Sequence, residues 1–308
     1  MGGCRWAIIA MFAGIVWPAA VLAQQSTPGA EASPNISPQP AGDPIIVTAR
    51  PLPPKDEIKS LSRSITPYVS GGSLPRFNAS VCFGTSGLAR RTLEQVGARL
   101  ALDADLAGLE LAGDGCKPNV FVLFVDGVGD QMAKLVERKW WVFGERSPAE
   151  VRDILRQRGP VRAWSNNELR GADGQRVGAD GLLRVPVATR IAPAVRHDML
   201  AAIVVIERSA VVGKTPSQIA DYVAMRALGG VRPPRTGSKE TILALFDSHV
   251  LEAPAEMTAF DRGYLRGLYD SSTAEFASVT QGRIARRIMK EKDAELAQTT
   301  RQAPPTAP

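Results

Sequence analysis

A chain of 308 residues with 44% hydrophobic and 22% charged side chains has room for one large domain or two small ones. Its 37 basic and 31 acidic residues give a formal charge of +6, and loss of Arg5 with a leader would leave 36 against 31, about +5. That mild excess is not a nucleic-acid signature, and no apolar stretch after residue 24 is long enough to span a membrane as a helix.

The chain opens with one cation, Arg5, an apolar run from Trp6 to Ala23, and Val21-Leu22-Ala23 ahead of Gln24. This is the pattern of a secretory signal peptide over residues 1–23, with an uncleaved membrane anchor as the alternative; Pro18 and the small residues after it favour cleavage. Cys4 precedes the apolar run, too early for a lipidated cysteine. Export to the periplasm or beyond then leaves Cys82 and Cys116 in an oxidising compartment, where an isolated pair is most simply one disulfide.

Residues 24–60 read as a flexible linker rich in Pro, Ser and Ala, too poor in apolar side chains to offset the entropy of ordering. A short β segment, Pro44 to Arg50 (PIIVTAR), interrupts it. The segment resembles the opening of the plug region in TonB-dependent outer-membrane receptors, but nothing downstream is similar to their barrel, and the reading taken is an exposed strand.

The domain is expected over residues 61–298. Ser86 fits the N-cap of a helix carrying Leu88, Leu93, Val96, Leu100 and Leu102. Strands are expected at Gly108–Ala112 and at Asn119–Val125 (NVFVLFV), with Cys116 beside the latter. Asp126-Gly127-Val128-Gly129-Asp130 then admits three readings. It contains the GxG of a phosphate loop, and it resembles the metal-binding Asp-Gly loop of the alkaline-phosphatase superfamily, with Asp247-Ser248-His249 as a DxH partner. The reading taken is a strand-to-helix turn that glycine permits. An amphipathic segment with Met132, Leu135 and Val136 follows, then Trp140 and Trp141, read as core or interface.

Ser147-Pro148 with Glu150 forms a capping box opening a helix to about Gln157, and residues 160–170 read as a strand with Trp164 inward. Ala172-Asp173-Gly174 and Ala179-Asp180-Gly181 signal turns. Met199–Ile206 is a nearly continuous apolar strand, which implies cover on both faces. Thr215 and Gln218 open a second boxed helix that ends at Gly229-Gly230, and projection places Ile219, Ala220, Val223, Ala224 and Ala227 on its buried stripe with Asp221 and Met225 in solvent. Ile242–Phe246, a helix from Thr258 to about Tyr269, and a last helix from about Thr273 to Gln298 complete the domain. The basic run RIARRIMKEK within the last helix reads as a solvated face, and residues 299–308 as a disordered tail.

No i, i+4 pair on the Thr215 helix is a metal-ligand pair, so no metal site or cofactor is assigned. Ala227-Leu228-Gly229, Leu245-Phe246-Asp247-Ser248 and Met257 to Asp270 (MTAFDRGYLRGLYD) resemble a family of exported proteobacterial proteins of unknown function. That resemblance covers about residues 198–270 and implies a zincin-like C-terminal half. Where those relatives place acidic and Gln or His residues on the helix, this chain has Tyr222, Val223 and Arg226.

The expectation is therefore a single α+β domain with a mixed sheet packed by helices, in an exported envelope protein that binds or assists without catalysing. Its partner is an envelope component or another exported protein, not nucleic acid. The alternative is a secreted hydrolase with a divergent metal or serine site drawn from Ser86, His197, Asp198, Asp221 and His249.

Overall fold

The computed structural model describes residues 54–67, 72–176, 178 and 192–302. The expected leader, the PIIVTAR segment, the turn at residues 179–181 and the tail beyond 302 lie outside the described residues. Four strands form a mixed sheet: β1 (Phe83–Ser86), β2 (Val120–Val125), β3 (Val161–Gly171) and β4 (Val195–Glu207), in the order β1-β2-β4-β3. β1 runs parallel to β2 and β2 parallel to β4, while β3 is antiparallel to β4. This sheet and the helices around it make an α+β domain.

The apolar run of β4 is explained by cover on both faces. Ala202, Val204 and Ile206 point into a large core shared with α2 (Arg90–Ala107) and α5 (Pro216–Ala227), and Ile203 and Val205 point the other way. There they meet Val128 and Met132 of α3 (Val128–Arg138), Phe143 of a 3-10 turn (Trp140–Phe143), and Val151 and Ile154 of α4 (Pro148–Leu155). Each such buried aliphatic side chain contributes about 1.5–3 kcal/mol.

Local signals fix several helix starts. The capping boxes at Ser147/Glu150 and Thr215/Gln218 both form, and Thr258 with Asp261 makes a third at the start of α6 (Ala259–Tyr269). Asp261 is fully buried and also accepts from Thr241 Oγ1 (2.6 Å) and the Ile242 amide (2.8 Å), so one carboxylate starts α6 and the 3-10 turn Ile242–Phe246. Much of the MTAFDRGYLRGLYD block is explained this way. Gly263 and Gly267 supply the rest: a Cβ on either would lie 2.4 and 2.6 Å from the Cα of Ile288 and Ile284 on α7 (Ala277–Gln302). The two helices touch backbone to backbone there, which no larger residue permits.

Cys82 and Cys116 are joined, with Cα atoms 6.2 Å apart, just ahead of β1 and β2. Closing that loop stabilises the fold by about 3–4 kcal/mol on the chain-entropy argument. The Asn119 amide adds a second clasp, accepting from the Cys82 amide (2.8 Å) and donating to the Ser80 carbonyl (3.0 Å).

Several expectations are corrected. Ser86 does not cap the first predicted helix: it is the last residue of β1, paired in register with Leu123, and α2 begins at Arg90 without a side-chain cap. Residues 108–112 form no strand, because Gly108 closes α2 in the left-handed region and only Leu111 bridges to Val81. The domain starts before residue 61, since α1 (Lys55–Ile65) buries Ile58, Ser62 and Ile65 and packs against α7. At the other end α7 continues to Gln302, four residues into the expected tail. Its basic run is partly paired, as in Arg283–Glu275 (2.7 Å) and Arg287–Glu291 (3.5 Å). No helix among the described residues is long and apolar enough to cross a membrane.

Candidate functional site

α5 lies at the centre of the domain, and every residue from Ile219 to Ala227 is buried. The single-stripe projection fails because the helix is covered from several directions: by α2, by β3 and β4, and by the Ile242–Phe246 turn. Asp221, expected in solvent, is fully buried and held by Arg99 of α2 through a fork of 2.7 and 3.0 Å. The Met257 amide donates to the same carboxylate. Arg99 also lies 3.4 Å from Asp103 and 3.4 Å from Glu256. Burial, and then the neighbouring Asp221 charge, push the Asp103 carboxyl up to about 8, while the bond to Asp221 raises the Arg99 guanidinium. The raised Asp103 carboxyl favours its protonated form beside the Arg99–Asp221 pair. This cluster ties α2 to α5 and to the start of α6.

Beyond the other end of α5 opens a groove of about 1020 Å³, bounded by α4, β3, the segment after α5 and the Asp247–His249 turn. Arg226 forms part of its wall, 7% exposed. Its guanidinium donates to Tyr222 Oη and to Gln157 Oε1, both at 2.9 Å, and Nε has no partner. Gln157 in turn bonds both backbone groups of Ala163, accepting from the amide (2.9 Å) and donating to the carbonyl (2.7 Å). Trp164, inward as expected, stacks on Phe143 at 5.2 Å and donates to the Val142 carbonyl. Arg146 reaches across to the carbonyls of Ser165 and Phe143 and to Asn166 Oδ1.

The five residues expected for a divergent hydrolase site do not converge. Ser86 is exposed at the end of β1 and makes no hydrogen bond to either histidine among the described residues. His197 Nδ1 lies 3.1 Å from the Ser73 carbonyl. Asp198 is buried and engaged by Asn78 (2.5 Å) and Arg196 (3.0 Å), because β4 is flanked there by β3 and by a bridge to Arg76. Asp221 belongs to the Arg99 cluster, and His249 stands exposed on the groove rim, its amide bonded to Asp247.

The Gly127 turn is closed by protein. Gly127 adopts φ 68°, and the amides of Gly127 and Val128 donate to the Glu207 carboxylate at 3.1 and 2.7 Å, so an acid occupies the place a phosphate would take. Asp126 pairs with Arg208, while Asp247 lines the groove, of which Asp126 is not part. No group of three or more His, Cys, Asp or Glu among the described residues is arranged to hold a metal ion.

Arg226, Gln157 and Arg146 line the groove without a motif that marks them as site residues. The available signal was an arginine inside YVAMRALGG, where every other position from Val223 to Gly230 is apolar. Comparison with family models, curated proteins and solved structures finds no match to the chain.

Proposed function

We propose that the protein is an exported envelope protein that acts by binding, without catalysis, and that the groove beside Arg226 is where it binds. In this reading α5 is the counterpart of the helix that carries the chemistry in the zincin-like family that residues 198–270 resemble. One observation carries the proposal: α5 spends its polar residues on internal partners, Asp221 on Arg99 and Tyr222 on Arg226, while a wide groove opens beside its C-terminal end. A cleft with a few converging polar groups and an apolar lining is the usual form of a ligand site. His197 and His249, the chain's two histidines, make their hydrogen bonds to different loops.

Expression of the full chain in a bacterial host tests both halves. Export predicts recovery from the periplasm with Cys82 and Cys116 oxidised; unprocessed chain in the cytoplasm with both thiols reduced would overturn it. Stoichiometric zinc lost on His197→Ala or His249→Ala, or labelling of Ser86 by a fluorophosphonate, would overturn the non-catalytic reading.

A further inference from the structure

We propose that this groove takes a ligand bearing several anionic oxygens, phosphoryl or carboxylate, with Arg226 in its wall and Arg156 and Arg158 at its rim. The inference rests on the binding reading above and names the ligand chemistry. Six arginines line the groove, at positions 146, 156, 158, 226, 232 and 235, against three carboxylates, Glu150, Asp153 and Asp247. None of the six forms an ion pair among the described residues. Two of the acids are already engaged: Glu150 in the Ser147 capping box and Asp247 by the His249 amide.

Arg226 is the informative member. A guanidinium more than nine-tenths buried ordinarily sits opposite a carboxylate, because an uncompensated buried charge is costly. Here its partners are a phenol and an amide, and Nε has none. Arg162 on β3, outside the groove lining but close enough to feel Arg226, donates to the carbonyls of Leu155, Gly159 and Val161. Burial lowers the guanidiniums of Arg146 and Arg162 from their ordinary value; Glu150 offsets part of this at Arg146, and Arg226 lowers that of Arg162 further. Positive charge is therefore gathered in excess of its counter-charge, on side chains whose planar fork matches phosphate and carboxylate. An anionic ligand supplies the missing charge, while Phe246 and Pro233 offer apolar surface to its body.

Calorimetry on the full exported chain at low salt tests this with three probes: inorganic tripolyphosphate, citrate, and phosphatidylglycerol vesicles set against phosphatidylcholine vesicles. Saturable binding of tripolyphosphate or citrate is expected. Arg226→Gln should weaken it about tenfold or more, the value of a lost charge-assisted hydrogen bond. Binding to the anionic vesicles alone, lost in the same variant, would identify a lipid headgroup as the source of the anion. Should Arg226→Gln fail to fold, the double variant Arg156→Ala/Arg158→Ala, altered at exposed positions, decides the matter. Arg286→Ala/Lys290→Ala, exposed on α7, removes equal charge elsewhere and should leave binding unchanged. No saturable binding to any probe, binding that neither groove variant weakens, or an equal loss in the α7 control would overturn the inference. If the chain also carries no zinc and resists the fluorophosphonate, this inference alone fails; zinc or labelling alongside anion binding removes only the non-catalytic reading.

Discussion

Asp221 and Arg226 stand five residues apart on α5, about 7.5 Å along its axis, and both are buried, yet their surroundings differ in kind. Asp221 meets a guanidinium, a backbone amide and a second carboxyl that keeps its proton, so its charge is answered within the protein. Arg226 meets a phenol and an amide beside an open groove. A buried charge that the fold answers holds the fold together; one left unanswered beside a cavity points to something outside the chain. Burial alone does not separate the two cases, and the identity of the partner does.

The largest expected effect attacks the answered end. Asp221→Ala removes the fork that holds Arg99 and leaves the Met257 amide unpaired, and should cost about 3–5 kcal/mol in denaturant unfolding, as for a broken buried ion pair. Next comes the proton on Asp103. Its folded-state pKa, about 8, lies above the unfolded value near 4, so the stability it contributes is complete below about pH 4 and is lost as pH rises through 8. Wild type should lose on the order of a few kcal/mol relative to Asp103→Asn between those limits, and equal pH slopes in the two proteins would show that Asp103 does not hold the proton. At the unanswered end Arg226→Met should cost under about 2 kcal/mol in ligand-free protein, since it forfeits two hydrogen bonds but relieves an uncompensated charge. A loss matching that of Asp221→Ala would break the contrast. Smallest of all, Ser86→Ala should change stability by less than about 0.5 kcal/mol, because the side chain is exposed and caps no helix.

Features set by a few neighbouring residues were legible in the sequence. The boxes at Ser147, Thr215 and Thr258, the inward Trp164, the two-sided cover of β4 and the Cys82–Cys116 bond each follow from local chemistry or from there being one way to pair. What depended on distant segments was not. Ser86 followed by a periodic apolar run looks like an N-cap until β2 draws Ser86 into the sheet. Asp221 falls off the apolar stripe of a helix with one buried face, but α5 is covered by elements from residues 90–107, 161–207 and 242–246, none of them signalled within the helix itself. The groove is likewise assembled from segments near 146, 157–165, 222–235 and 247–249, whose arginines look like ordinary surface residues when read in order.

The bonds from Gln157 to Ala163 have a consequence for how copies of this protein behave in concert. β3 is the last strand of the sheet, and a bare outer strand offers a template on which a second chain can extend the ladder. At Ala163 both outward backbone groups are already taken by one side-chain amide, and the Ser165 carbonyl is taken by Arg146. A neighbouring chain would have to displace Gln157 and Arg146 together before it could pair there. The same side chains that shape the groove therefore also guard the sheet against edge-to-edge aggregation.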